Sequence, residues 1–367
     1  MNVGWIAPLN KKCGIAFYSR KYADELLKHV KLIECDPDDF IQNKKRFAAR
    51  LSECGCVHIQ YDPSFFLHGR LDGYPGLCGQ LKAKKIVTLH EIYGKAPGVF
   101  SREDIRGPWP LKAIKEVLWD RRHPHWAAFA RHGRRSFFAD AVVVHSQFQK
   151  DILTQKGIDE EEITVVPLPI KPRPGKKSRA TGATATIVLG AAGFINPSYD
   201  YDLLVRVLGH IKGDWRFTWI GGPRRDDDTE ILRGLQNEID KRGWKQRFTV
   251  TGWVSDEERD RLLDEMNIFC AFFKERSSSE SLADAIAAKM PIIATRIPLT
   301  LEMASFGPLL FLAPDKPEKT AEYISALLSD KERLYFAERA AAAYTEQFSY
   351  EECAKKLVHL YESVIGK

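Results

Sequence analysis

Short apolar runs alternate with amphipathic stretches along most of this chain, and that rhythm predicts a parallel α/β protein. In the first half, residues 3–7, 56–61, 86–90, 141–145 and 164–167 read as buried strands, with a helix from about Ile15 to His29 after the first. In the second half, strand candidates fall at 187–190, 216–221, 247–251, 268–272 and 291–295. Helices over 203–211, 229–241, 256–264 and 281–288 separate them. Runs that are apolar throughout are what a sheet covered on both faces requires. Between Ile170 and Gly182 the sequence KPRPGKKSRATG has no apolar period and reads as a linker over 171–182. Two α/β units of similar size result, followed by a last helix over 350–365 whose periodicity does not say which unit it packs on.

A chain of 367 residues is long for one core, which agrees with two domains. With 44% hydrophobic and 28% charged residues it has the balance of an ordinary globular protein. No apolar run approaches the roughly 20 residues that cross a bilayer, and MNVGWIAPLNKKCG lacks the order of a secretion signal. Seven scattered cysteines argue for reduced thiols and a cytoplasmic setting. Cys54 and Cys56 have no second ligand pair at zinc-site spacing, so no metal is expected. A formal charge of +6 suits anionic ligands without demanding nucleic acid, for which no signature is present.

The most informative stretch is FFKERSSSESLADAIAAKMPIIAT, residues 272–295. Ser277, Ser278, Ser279 and Ser281 stand where a helix begins, either as caps or as a seat for phosphate on helix N–H groups. Asp284 is expected just inside the first turn, placed to accept sugar or ribose hydroxyls. Gly14 follows the first strand and either permits close approach of a ligand or makes a tight turn. His90 ends a buried strand, as a hydrogen-bonded core residue or as a site residue. The segment RRHPHWAAFARHGRRSFF, residues 121–138, mixes arginine with aromatics. It can lie on an anionic membrane, line a cleft, or place its aromatics in the core.

Taken together, CGIA at 13–16, VHIQY at 57–61, VTLHE at 87–91, GFI at 193–195, WIGGP at 219–223, TGWVS at 251–255 and SLADAIAAKMPIIAT at 281–295 resemble the retaining, family-four GT-B glycosyltransferases. The likeness runs over nearly the whole chain. It implies two Rossmann-like domains facing a central cleft: an acceptor domain over 1–170, and a nucleotide-sugar domain over 183–345 beyond the 171–182 linker. A terminal helix over 346–367 would cross back to the first domain. It implies metal-independent transfer of a sugar, with retention, from a UDP- or GDP-type donor to a glycan, lipid-linked or small-molecule acceptor. By position, His90 matches the active-site histidine and Gly14 the glycine against the diphosphate. Gly252 and Val254 match the segment bracketing the base, and Asp284 replaces the second glutamate of the Glu-x7-Glu motif. Ser279 and Ser281 flank the phosphate seat.

Three departures stand out. Arg276 occupies the place of the first motif glutamate. Tyr199 and Phe194 stand where the family's phosphate-binding lysine and arginine fall, and Lys289 replaces a small glycine at a helix end. Arg276 is then the nearest cation for a diphosphate, since a guanidinium fork matches phosphate geometry. The alternative is a degenerate GT-B-like protein that binds a nucleotide or glycan without transfer.

Overall fold

The computed structural model describes residues 1–11, 13–68, 71–93, 105–173 and 186–366. The chain divides into two compact units: Met1–Pro167 with Tyr350–Lys367, and Leu168–Ser349. Of the linker read from the sequence, residues 174–182 lie outside the described residues. Arg173, just before them, pairs with Asp260 (3.6 Å) and Asp264 (3.4 Å).

The strands of the first unit are β1 (Asn2–Ile6), β2 (Lys31–Cys35), β3 (Cys56–Tyr61), the short hairpin β4 (Leu67–His68) and β5 (Leu71–Asp72), β6 (Lys84–Leu89), β7 (Ala141–Val144) and β8 (Ile163–Val165). Its helices are α1 (Gly14–Leu26), α2 (Pro37–Gln42), α3 (Lys44–Arg50), α4 (Tyr74–Gln80), α5 (Trp109–Arg122), α6 (Pro124–Gly133) and α7 (Gln147–Gln155). Six strands form one parallel sheet in the order β2-β1-β3-β6-β7-β8. The sequence pattern missed β2, a flanking strand whose KLIEC is only partly buried and lacks a continuous apolar run.

The second unit contains β9 (Ile187–Ala192), α8 (Tyr201–His210), β10 (Trp215–Ile220), α9 (Asp226–Lys241), β11 (Phe248–Val250), α10 (Asp256–Glu265) and β12 (Ile268–Ala271). It continues with α11 (Glu280–Ala287), β13 (Ile292–Ala294), α12 (Pro298–Ala304), β14 (Phe311–Leu312), α13 (Pro317–Ser329) and α14 (Lys331–Gln347). Its parallel sheet runs β11-β10-β9-β12-β13-β14, the strand order of a dinucleotide-binding fold. The final helix, α15 (Tyr350–Gly366), belongs to the first unit, where the Tyr361 hydroxyl lies 2.7 Å from His58 Nδ1 on β3.

Burial explains the strand sequences. Every residue of β3 is buried, and its two faces divide by chemistry. Val57, Ile59 and Tyr61 enter an apolar cluster with Phe66, Tyr74 and Phe137, while His58 and Gln60 face a polar seam. In β9, Gly190 is required by space, because a Cβ there would fall 2.2 Å from Met266 Sδ and 2.9 Å from Thr218 O.

Lys289 follows the C-cap of α11 with φ 51°, the left-handed conformation that glycine adopts at little cost. Lys289→Gly is expected to stabilise the second unit by about 1 kcal/mol. That corresponds to a thermal midpoint about 2–4 °C higher, read by calorimetry. An unchanged or lower midpoint would show that the strain is already relieved elsewhere.

Candidate functional site

Strand order in the second unit decides where a ligand can sit. The chain steps from β9 to β10 on one side and enters β12 on the other, and open sheets take ligands beyond the carboxyl ends at such a reversal. The turns that follow β9 and β12 are joined there. Lys274 N–H donates to Ser198 O (2.8 Å) and Asp200 N–H to Phe272 O (2.7 Å).

Three successive strand ends present bare backbone. Gly193, Gly221 and Gly252 have φ of 109°, 123° and 70°, a region that disfavours any side chain. Gly252 N–H donates to Gly221 O (3.1 Å), and Trp219 Nε1–H to Gly193 O (2.9 Å). A Cβ on Gly221 would stand 2.3 Å from Gly193 O. Gly193 also borders the start of α11, its Cβ position being 3.6 Å from Ser281 Oγ. The glycine wall and the serine-flanked helix start are thus adjacent.

At that helix start Ser279 is the N-cap, its Oγ accepting from Leu282 N–H at 3.2 Å. The capping reading of the serine run holds for this residue. Ser281 Oγ lies 3.1 Å from Ser279 Oγ, and Ser277 is buried. Arg276 lies with its guanidinium 5.3 Å from the Phe273 ring centre, and its Nε is buried with no hydrogen-bond partner among the described residues. Asp284 sits in the second turn of α11 rather than the first, because the helix opens at Glu280. Its carboxylate is 3.6 Å from Arg259 Nε on α10. No local pattern singles out Arg259, because the pairing spans two helices.

The two positions lacking the expected cations have been rebuilt with aromatics. Tyr199 is buried and donates its hydroxyl to Cys270 O (2.9 Å), so it serves the core. Phe194 packs edge-on against Trp253 at 5.2 Å and carries the Arg224 guanidinium 5.3 Å above its ring. Trp253, between Gly252 and Val254, is 65% exposed. Neither Arg224 nor Trp253 was singled out from the sequence; the signal available was an aromatic and an arginine each directly beside a glycine motif.

Gly14 and His90 belong to the first unit. Gly14 opens α1 behind Cys13, an N-cap that makes no side-chain hydrogen bond. One turn further along α1, Tyr18 packs edge-on against His90 at 4.8 Å. His90 is 5% exposed, with Nδ1 3.2 Å from His145 Nε2 and Nε2 2.9 Å from the Gln60 side-chain amide. Burial pushes His90 well below the usual imidazole range, with His145 and His58 adding to the shift. His145, lowered to about 4 by burial, places Nδ1 3.0 Å from the Val166 carbonyl and must donate there. Neutral His145 Nε2 therefore accepts from His90 Nδ1–H, and His90 Nε2 is left as an acceptor. With its oxygen toward His90, the Gln60 amide nitrogen has no partner among the described residues. Turning the amide over brings its N–H to His90 and satisfies the chain of bonds. Both ring nitrogens of His90 are then engaged in hydrogen bonds.

The three phenylalanines of the 121–138 segment are core residues, while Trp126 is half-buried against Tyr93. Phe137 lies in the apolar cluster, with Phe129 and Phe138 packed against it. Their basic neighbours Arg131, Arg134 and Arg135 line a cavity of about 300 Å³ with Asp72, Pro75 and His132. There Asp72 Oδ2 accepts from His132 Nε2 at 2.9 Å, and His132 Nδ1 meets the Tyr61 hydroxyl at 2.7 Å. Among the described residues no group of side chains could hold a metal ion, and no helix is long and apolar enough to cross a membrane.

Residues 186–330, which contain the glycine wall and α11, match the family described as Glycosyl transferases group 1. No curated protein matches the chain by sequence. Among solved structures, Anabaena HepE in complex with UDP and glucose matches with a TM-score of 0.72 at 15% identity, covering 99% of this chain and 100% of its own. Sucrose-phosphate synthase from Thermosynechococcus elongatus matches at 0.68 and 15%, covering 100% and 99%. A glycosyltransferase from Rickettsia africae does so at 0.68 and 15%, covering 99% and 98%. The fold is therefore α/β of the GT-B class, with two Rossmann-like units; at this identity the likeness extends to fold and no further.

Proposed function

We propose that the protein is a glycosyltransferase that moves a sugar from a nucleoside-diphosphate sugar to an acceptor hydroxyl, with retention of configuration. The observation that carries this reading is the reversal point of the second sheet. Bare glycine turns, a capped helix start and the buried Arg276 Nε, which has no hydrogen-bond partner among the described residues, converge there. The match of residues 186–330 to group 1 glycosyl transferases supports it, as does the likeness to a structure holding UDP and glucose. In this reading Gly193 and Gly221 admit the diphosphate to the backbone, and Gly252 and Val254 border the base. Asp284 receives ribose hydroxyls, with Arg259 holding its carboxylate in place.

The chemistry follows from those groups. The acceptor oxygen forms a bond to the anomeric carbon as the bond from that carbon to the phosphate oxygen breaks. The nucleoside diphosphate leaves with the electron pair and takes the acceptor proton. Arg276 and the dipole of α11 stabilise the charge growing on the leaving oxygen. No protein nucleophile is needed, and in this reading no metal is either, so EDTA should leave turnover unchanged. We assign acceptor recognition to the first unit, with His90 as a neutral, fixed group.

A panel of UDP-, GDP- and ADP-sugars with mixed acceptors tests the proposal by nucleotide release, and NMR of the product reports the anomer. Asp284→Asn is expected to weaken donor binding about tenfold to a hundredfold. A second reading, binding without transfer, is favoured by Tyr199, whose hydroxyl is spent on the core where a cation was expected. Tight donor binding with no nucleotide released from any acceptor pool would decide for it.

A further inference from the structure

Helix α5 is built inside out. Its residues Lys112, Ala113, Glu116, Trp119 and Asp120 are half-buried, and none of its residues is fully buried. The outward side carries Leu111, Ile114, Val117 and Leu118, exposed by 51 to 57%. These four fall at helical spacing on one face, with Trp109 (82% exposed) at the leading end. A surface helix normally turns such a stripe to the core. A contiguous apolar patch left in water marks an interaction surface.

Charge narrows the occupant. Lys115, Arg121 and Arg122 are exposed on the same outward side, and no carboxylate pairs with them among the described residues. A second copy docking face to face would bring these cations against one another. An anionic bilayer offers both what the stripe lacks and what the cations need: an acyl boundary for Leu111, Ile114 and Leu118, and phosphate for the basic rim. We infer that α5 docks the protein on an anionic lipid surface, lying in the interface without crossing it. The membrane-contacting element is thus α5, upstream of most of the 121–138 segment, whose phenylalanines pack in the core.

Co-sedimentation of the full chain with phosphatidylcholine vesicles, with and without phosphatidylglycerol, tests this. Binding is expected only with the anionic lipid and should weaken as salt rises. Ile114→Ser with Leu118→Ser should lower partitioning at least about tenfold, and Arg121→Glu with Arg122→Glu by about as much or more. All four positions are exposed, so thermal unfolding should be unchanged. Equal binding to neutral and anionic vesicles, or to neither, overturns the proposal. So does loss of binding with Arg134→Glu and Arg135→Glu while the α5 variants still bind, which would move the contact to the cavity. A wild-type dimer by light scattering that Ile114→Ser with Leu118→Ser dissociates would assign the stripe to self-association and likewise overturn it.

Discussion

Arg276→Ala is expected to weaken UDP binding by about thirtyfold to a hundredfold while changing uridine binding less than about twofold. A hydrogen bond from a guanidinium to phosphate is worth about 2–3 kcal/mol when it is desolvated, which sets the size. The residue is poised for that contact. Its guanidinium rests on the Phe273 face at 5.3 Å, and its buried Nε has no partner among the described residues. An unsatisfied buried donor costs stability, so the alanine variant should unfold no earlier than the parent when no ligand is present. Arg276→Lys should recover only part of the affinity, since an ammonium is a point charge without the planar fork. Calorimetric titration with UDP and uridine decides the matter. Equal losses for both ligands would take Arg276 off the diphosphate and leave it a base or ribose contact.

How much of this was legible beforehand differs between fold and site. The fold was legible where strands are buried on both faces: CVHIQY over 56–61 coincides with β3 to the residue. It failed at β2, whose partial burial erases the apolar run, and at α5, whose stripe faces water instead of the core. The glycine wall was half legible. Gly193, Gly221 and Gly252 all stand in motifs, but their adjacency depends on the β11-β10-β9 order, which no local pattern encodes. Arg259 beside Asp284 and Arg224 over Phe194 are pairings between elements distant in sequence. The same holds for the polar seam of the first sheet. His58 and Gln60 on β3, His90 after β6 and His145 after β7 come from three separate places in the chain, and each alone reads as an ordinary strand or strand-end residue. Only the lateral packing of β3, β6 and β7 joins them.

That seam makes the first unit acid-labile. Burial lowers His58 to about 3 and His145 to about 4, and holds His90 well below 6.5. In the unfolded chain all three titrate near 6.5. Below that pH the unfolded state binds protons the folded state refuses, so stability falls as pH drops below about 6.5, the His145 contribution ending near 4 and that of His58 near 3. Above it both states are neutral and the penalty vanishes. Each histidine that stays neutral in the folded protein adds at most about one proton to the pH slope within its own window. Carboxylates do not mask this. Asp72 is opposed by its own burial but held below 3.8 by His132, Arg131 and the Tyr74 amide, and it releases its contribution only at lower pH. Hydrogen exchange read by mass spectrometry should show amides of β1, β3 and β6 losing protection between pH 6.5 and 5.5, after correction for intrinsic rates. His58→Gln is the informative variant. Both its partners, Tyr361 and Thr88, are hydroxyls that donate or accept as required. The neutral amide should therefore be tolerated at pH 7.5 and should remove about one proton from the pH slope. An unaltered slope in this variant would mean that His58 already carries its proton in the folded protein.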